Sequence, residues 1–393
     1  MKRSRAAHEA GDEGPAWKLA VRRRDDVPLR EKGASERSRA MRGWVALFAK
    51  AGWQGLAAAE AVAEEPGTEE KVEALEGVFA KKATGTLLAR LSHARLYTAW
   101  AATFGMACQA QPFPIAEPTA YEYTKYLVAS KAPPSRADSF RTMVAFLKYA
   151  CGLRGADEVL SSNRVAGKAW QAFEGKRLRV QRDPLKKAQV EALQAIALDP
   201  AEDMRDRIFA GFEAFCLAVR FRNGDAQHVE EEPSLDCDPS GMGFVETYSS
   251  ALKNTRSTSR RRIRIAVVGW KVGFDGRNWA AAWLELRAQE GLRVETQGCL
   301  MPAPDPDGDG WLQGPLTCEE CNLWLAELLI RRLGRDVPLG NVGSHSLKAT
   351  LLSWSAKFGL KGGDRRVLGY HAKSKDASVR DYARDSFAAP SVS

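Results

Sequence analysis

The sequence predicts an α+β protein, mostly helical, with one small β-hairpin or sheet set into its C-terminal half. Apolar residues recur at helical spacing through most of the chain from Ala83 onward. The period changes once, to alternation and β-branched residues, on either side of a polar run from Lys253 to Arg260. Helical spacing then returns as far as Phe358.

A chain of 393 residues with 45% hydrophobic residues is long enough for two or three domains with ordinary cores. Its formal net charge of +9 favours a polyanionic partner, because basic side chains that displace counterions from phosphates supply much of nucleic-acid affinity. The apolar runs fall short of the roughly 18 to 20 residues a membrane span needs. The basic N-terminus, MKRSRAAHEAGDEGP, has no hydrophobic stretch behind it, so an intracellular protein with no membrane partner is expected. Seven scattered cysteines, an odd number, do not make a disulfide framework and fit a reducing compartment.

Residues 1–82 swing between charge clusters such as Arg22-Arg23-Arg24-Asp25-Asp26 and Ala-rich stretches without a sustained core face, and read as a partly ordered N-terminal extension. Residues 83–175 are helical: Leu87, Leu88, Leu91, Leu96, Trp100 and Phe104 open the pattern. After a Pro-rich break, Thr119 to Ser130, Ser135 to Tyr149 and Ala156 to Phe173 continue it. Residues 176–187, with Lys176, Arg177, Arg179, Lys186 and Lys187 around an Asp183-Pro184 stop, form a basic linker that would lie along a polyanion. In residues 188–393, helices are expected at Lys187 to Leu198 and Asp203 to Phe221, and the hairpin pairs Gly243 to Leu252 with Arg261 to Val268. Further helices follow at Asn278 to Glu290, Thr317 to Leu333 and Ser344 to Phe358, with a loop from Met301 to Gly314.

Chemistry-bearing residues concentrate in this last region. On the helix opened by Ser344 and closed by Gly359, Leu347, Leu351, Trp354 and Phe358 share one face, and His345 and Lys348 lie together beside it. A His and a cation one turn apart can bind two non-bridging oxygens of one phosphate. Leu368-Gly369-Tyr370-His371 follows, and after a short polar stretch a tyrosine, Tyr382. Upstream, Ala218-Val219-Arg220-Phe221-Arg222-Asn223-Gly224-Asp225 ends a buried helix with an arginine three positions before an acid, and Lys253-Asn254-Thr255-Arg256 sits in the hairpin turn.

In that order these elements resemble the active-site residues of the tyrosine recombinase (phage integrase) family. The resemblance implies a helical core-binding, SAM-like domain over 83–175 and a catalytic domain over 188–393, together forming a DNA clamp. It implies cleavage and rejoining of DNA strands through a 3′-phosphotyrosyl intermediate, without ATP, metal or other cofactor. Tyr382 would be the nucleophile; Arg222, His345 and Lys348 would hold the phosphate; His371 would hydrogen-bond it; Lys253 would be the general acid for the departing 5′ oxygen. Arg220 competes with Arg222 for its role, and Tyr370 with His371. The family places arginine where this chain has Lys348, which exchanges a bidentate fork for a point charge. Arg256, Arg260, Arg261 and Arg262 would grip the DNA backbone. Double-stranded DNA is the implied partner and a homotetramer on DNA the implied assembly. A catalytically impaired DNA-binding descendant and a type IB topoisomerase-like activity are the alternatives.

Two other motifs carry less. Asp305-Pro306-Asp307-Gly308-Asp309-Gly310 opens like an EF-hand loop but has Leu316 where a bidentate glutamate is needed. Cys318-Glu319-Glu320-Cys321 has metal-ligand spacing without a second pair, and Thr317 with Glu320 forms a capping box across it.

Overall fold

The structure is a computed structural model and describes residues 14–52, 55–104, 112–174, 181–237, 243–249 and 264–370. These residues form two compact units. One spans Lys32–Arg179; the other joins the residues up to Glu31 with those from Val180 onward.

The first unit is helical: α2 (Leu29–Ala51, which begins just before the unit does), α3 (Ala57–Ala63), α4 (Thr68–Phe79), α5 (Thr84–Phe104), α6 (Glu117–Ala129), α7 (Arg136–Cys151), α8 (Ala156–Ser161) and α9 (Asn163–Glu174). Its core differs from the expected one. Residues 32–82 were expected to be a partly ordered extension, yet Met41, Trp44, Val45 and Phe48 present a buried i, i+3, i+4, i+7 face. Trp44 packs on Phe48, Phe79 and Phe146, with ring centroids 5.4, 5.7 and 5.7 Å away. One hydrophobic core therefore runs from α2 to α9. The helix expected over Ala156 to Phe173 is two, separated at Ser162.

The second unit begins with α1 (Ala16–Ala20), then continues with α10 (Lys187–Leu198), α11 (Met204–Ala218), α12 (Asn223–Ala226), α13 (Trp279–Gln289), α14 (Val294–Gln297), α15 (Cys318–Leu333), α16 (Ser344–Lys357) and α17 (Gly362–Leu368). A three-stranded antiparallel sheet has the order β1 (Ser234–Cys237), β2 (Gly243–Ser249), β3 (Ile265–Trp270), and a two-stranded one pairs β4 (Pro302–Pro304) with β5 (Trp311–Pro315). The expected hairpin is β2 and β3, in a register from Phe244 opposite Trp270 to Ser249 opposite Ile265. Strand β1 and the β4–β5 pair were not expected from the sequence. Among the described residues no helix is long and apolar enough to cross a membrane.

Helix α11 is the axis of this unit. Asp203 caps it by accepting from the Arg205 and Asp206 amides, and every residue from Ile208 to Ala218 is buried. Two close approaches fix its neighbours. A Cβ at Gly211 would come within 2.3 Å of the Trp283 ring on α13, and one at Gly269 within 2.8 Å of the Ala218 backbone, so glycine lets α13 and β3 lie against α11.

The segment 181–186, expected as linker, is tied into this unit. Arg182 Nη1 donates to Asn341 Oδ1 at 2.7 Å, the Asn341 amide donates to Asp183 Oδ2 at 2.7 Å, and the Leu185 amide donates to Thr350 Oγ1 at 2.8 Å. The N-terminal residues are tied in more deeply. Asp206, 3% exposed, accepts from the Ala16 amide at 2.8 Å, the Trp17 amide at 3.0 Å and Trp324 Nε1 at 2.7 Å. The guanidinium of Arg205 lies 4.4 Å from the Trp17 ring, and Arg24 reaches the buried Glu320 at 2.8 Å. Asp206→Ala should therefore strand three buried donors and lower stability by about 3 kcal/mol or more. A urea unfolding midpoint within error of wild type would show that this N-terminal anchor contributes nothing to the unit.

Candidate active site

The C-terminal end of α11 builds the site. Its last turn is a Schellman motif, in which the Phe221 amide donates to Cys216 O at 2.8 Å and the Arg220 amide to Leu217 O at 3.0 Å. Arg220 occupies the left-handed position, at φ 57°, where glycine is usual. What holds an arginine there is its side chain. Arg220 is 2% exposed; its Nε donates to Leu368 O at 3.1 Å, Nη1 to Ala218 O at 2.9 Å and Nη2 to Val268 O at 3.1 Å.

Arg222, two residues on, has a different environment. It sits at the N-cap position of α12 with its side chain 30% exposed, and its Nη1 lies 3.3 Å from Asp225 Oδ2. The Arg222-x-x-Asp225 spacing thus folds into an ion pair across one turn. Of the two arginines considered from sequence, Arg220 has its donors committed to carbonyls, and Arg222 keeps donor capacity at the surface.

Lys348 comes from α16. Asn322 Oδ1 accepts from the Ser344 amide at 2.6 Å, and Ser346 Oγ accepts from the Gly343 amide at 3.0 Å; Ser346, and not Ser344, does the capping. Gly359, at φ 81°, follows the helix end as its position predicts. Lys348 is buried, and its Nζ donates to Gly369 O at 2.8 Å and lies 5.9 Å from the Tyr370 ring centroid. Burial, joined by repulsion from Arg222, lowers its amine to about 8, and Asp225 partly opposes the shift. His345, a turn earlier, is exposed.

Tyr370 is a second non-glycine residue in the left-handed region, at φ 56°. Its ring meets Phe221 edge-on at 5.1 Å, and burial raises its phenol above the usual value while Arg220 opposes the shift. The Leu368-Gly369-Tyr370 turn therefore gives one carbonyl to Arg220 and another to Lys348. Chemically, Lys348 feels two guanidinium groups, Arg222 and Arg220, and one carboxylate, Asp225, a surplus of positive charge that suits a phosphate. Against α11 and α16 lies an apolar groove of about 560 Å³, lined by Leu217, Trp270, Phe274, Leu351, Trp354 and Phe358. Phe358, expected on the packed face of α16, is 84% exposed.

No family model matches the chain, and no curated protein does. Among solved structures, the chain is similar to the Tn1549 transposon integrase in complex with transposon right end DNA. Sequence identity is 10% and the TM-score 0.38, over 79% of this chain and 94% of that one.

The other sequence-derived positions divide in two. Lys186 and Lys187 are exposed at the start of α10, where Lys187 pairs with Glu191 at 3.4 Å and lies 5.7 Å from the Phe274 ring centroid. Tyr382, Lys253, His371, Lys176, Arg177, Arg179, Arg256, Arg260, Arg261 and Arg262 lie outside the described residues. Sequence reasoning missed Asn223, the chain neighbour of Arg222, and Glu213, to which Asn223 donates a hydrogen bond. The available signal was an acid inside the aromatic run Phe212-Glu213-Ala214-Phe215.

Arg220→Ala should leave three buried carbonyls unpaired and cost about 3 kcal/mol or more. Arg222→Ala breaks one ion pair of 3.3 Å, made by a side chain that is 30% exposed, and should cost less than Arg220→Ala. Urea titrations of the two variants that moved equally would contradict this division of labour. The Lys348 amine has a folded pKa below its ordinary 10.5, so between about 8 and 10.5 the unfolded chain holds a proton the native state has released. Stability in urea should therefore rise with pH across that window, and Lys348→Met should remove the rise.

Proposed function

We propose that this protein is a DNA strand transferase of the tyrosine recombinase kind, cleaving and rejoining duplex DNA through a 3′-phosphotyrosyl link. The observation that carries the reading is the convergence of Arg222 and Lys348. They come from different helices and are joined through one turn: Lys348 donates to Gly369 O at 2.8 Å, and Tyr370 packs on Phe221, the chain neighbour of Arg222, at 5.1 Å. They meet beside the Gly369-Tyr370 turn, from which the sequence runs on to His371 and Tyr382. Lys348, with two arginines near it and Asp225 as the acid among the described residues, favours an anion at this corner.

In this reading the Tyr382 oxygen attacks the scissile phosphorus and the 5′ oxygen leaves with a proton from Lys253. Arg222, His345 and Lys348 stabilise the charge on the non-bridging oxygens, and His371 hydrogen-bonds one of them. The phosphotyrosyl bond conserves the energy of the one broken, so a free 5′-hydroxyl can reseal the strand. Arg256, Arg260, Arg261, Arg262, Lys176, Arg177, Arg179, Lys186 and Lys187 hold the backbone, and the net charge of +9 suits a DNA-associated protein that assembles as a tetramer on its site. One observation favours a second reading, a DNA-binding protein with impaired cleavage: Lys348 spends a hydrogen bond on Gly369 O and has a lowered affinity for its proton.

The test uses nicked duplexes of randomised sequence, selected for binding, as suicide substrates. Wild type should give a protein–DNA adduct that survives SDS. Tyr382→Phe should give none, and Arg222→Ala should reduce it about 100-fold or more. Lys348→Arg should raise it. Equal adduct from wild type and Tyr382→Phe removes Tyr382 as nucleophile, and tight binding with no adduct establishes the binding-only reading.

A further inference from the structure

Asn223 follows Arg222 in the chain and is 2% exposed. Its Nδ2 donates at 2.7 Å to Oε1 of Glu213, which is fully buried on α11. Each partner keeps one buried oxygen without a hydrogen bond: Glu213 Oε2 and Asn223 Oδ1. Two acceptors cannot satisfy each other, and an ionised carboxylate here would be a buried charge with no ion pair to it among the described residues. One proton on Glu213 changes the arithmetic. It turns Oε2 into a donor, so that acid and amide close a ring of two antiparallel hydrogen bonds and both orphaned oxygens are satisfied.

We propose that Glu213 is held as a neutral carboxylic acid whose Oε2–H donates to Asn223 Oδ1, and that this acid–amide lock is a positioning device for Arg222. Asn223 is the first residue of α12 and Arg222 its N-cap, so anchoring the Asn223 side chain to α11 fixes the backbone from which the Arg222 guanidinium projects. The lock stands on the buried pair alone; its purpose rests on the phosphate-binding role of Arg222.

The surroundings agree with a neutral acid. The groups facing the pair are Cys216 on the same helix, Cys321 on α15, whose sulfur is within hydrogen-bond reach of the Asn223 side chain, and Asp225 on α12. Burial pushes both thiols well above their usual range, so neither supplies charge, and Asp225 is committed to Arg222. Burial pushes the Glu213 carboxyl up to about 8, with the Asn223 hydrogen bond opposing. Near neutral pH the acid keeps its proton, and on ionisation the proton goes to solvent.

Glu213→Gln decides the matter, because glutamine reproduces both hydrogen bonds of the pair with no proton to lose. In full-length protein at pH 6.5, the infrared difference between wild type and Glu213→Gln should contain the carbonyl stretch of a protonated carboxylic acid, vanishing as pH passes about 8. Absence of that band at pH 6.5 overturns the lock, with no DNA needed for the result. Linkage gives a second readout. The native state keeps a proton that the unfolded chain, with its ordinary carboxyl at 4.5, has released, so wild-type stability should fall relative to Glu213→Gln as pH rises from 4.5 to about 8. Equal pH dependence of the two proteins would also overturn it.

Positioning is read by fluorescence anisotropy with a labelled 30-base-pair duplex. Glu213→Leu should weaken binding about fivefold and Glu213→Gln should not, and Glu213→Leu should add nothing to Arg222→Ala. Additive losses would show that Glu213 does not act through Arg222. If Arg222→Ala itself binds like wild type, the phosphate-binding reading of Arg222 fails, and the infrared band still decides the lock.

Discussion

The guanidinium of Arg220 gathers carbonyls from the end of α11, from β3 and from the end of α17, three stretches that have no covalent reason to meet. A planar group with five donors suits this task, since its hydrogen bonds fan out in one plane and fix relative orientation as well as distance. The left-handed backbone at Arg220 costs on the order of 1 kcal/mol, and the side-chain bonds offset it. Lys348 repeats the device with Gly369 O. Among the described residues the site is thus framed by cations bonded to neutral carbonyls, with Asp225 as the acid that acts on them. The clustering of cationic side chains at this corner follows from how the corner is held.

Acid and base at the site are displaced in opposite directions by one cause. Burial favours the uncharged form of each, raising Glu213 and lowering Lys348 to nearly the same value, about 8. Their consequences differ because their partners differ. Glu213 faces an amide that can accept its proton's hydrogen bond, whereas Lys348 faces a second cation, and an incoming anion would restore its charge.

Periodicity made much of the fold legible. Helix α10 has the expected bounds, and α11, α13, α15 and α16 lie within a few residues of theirs, because apolar residues at helical spacing and clear caps determine them locally. Strands β4 and β5 were illegible because Pro302, Pro304 and Pro315 read as loop. The Met41-Trp44-Val45-Phe48 face was hidden by the charged and small residues around it. In the site, the Arg222-x-x-Asp225 pairing needs only one turn and is readable from spacing. The roles of Arg220 and Lys348 depend on carbonyls brought from Val268, Leu368 and Gly369, which no local pattern encodes. Glu213 left a partial signal: an acid flanked by phenylalanines must be either exposed by bending the helix or paired in the core.

The anchoring of Trp17 has a consequence for how the chain comes to be folded. During synthesis Trp17 emerges well before its acceptor Asp206, which lies 189 residues downstream. The Trp324 that shares this carboxylate lies another 118 residues on. The whole Lys32–Arg179 unit is translated in between, so it can acquire its core while the other is still incomplete. An exposed tryptophan waiting on the nascent chain is a hazard for misassociation, and closing so long a loop is slow. A region translated later thus decides when an earlier one finds its place.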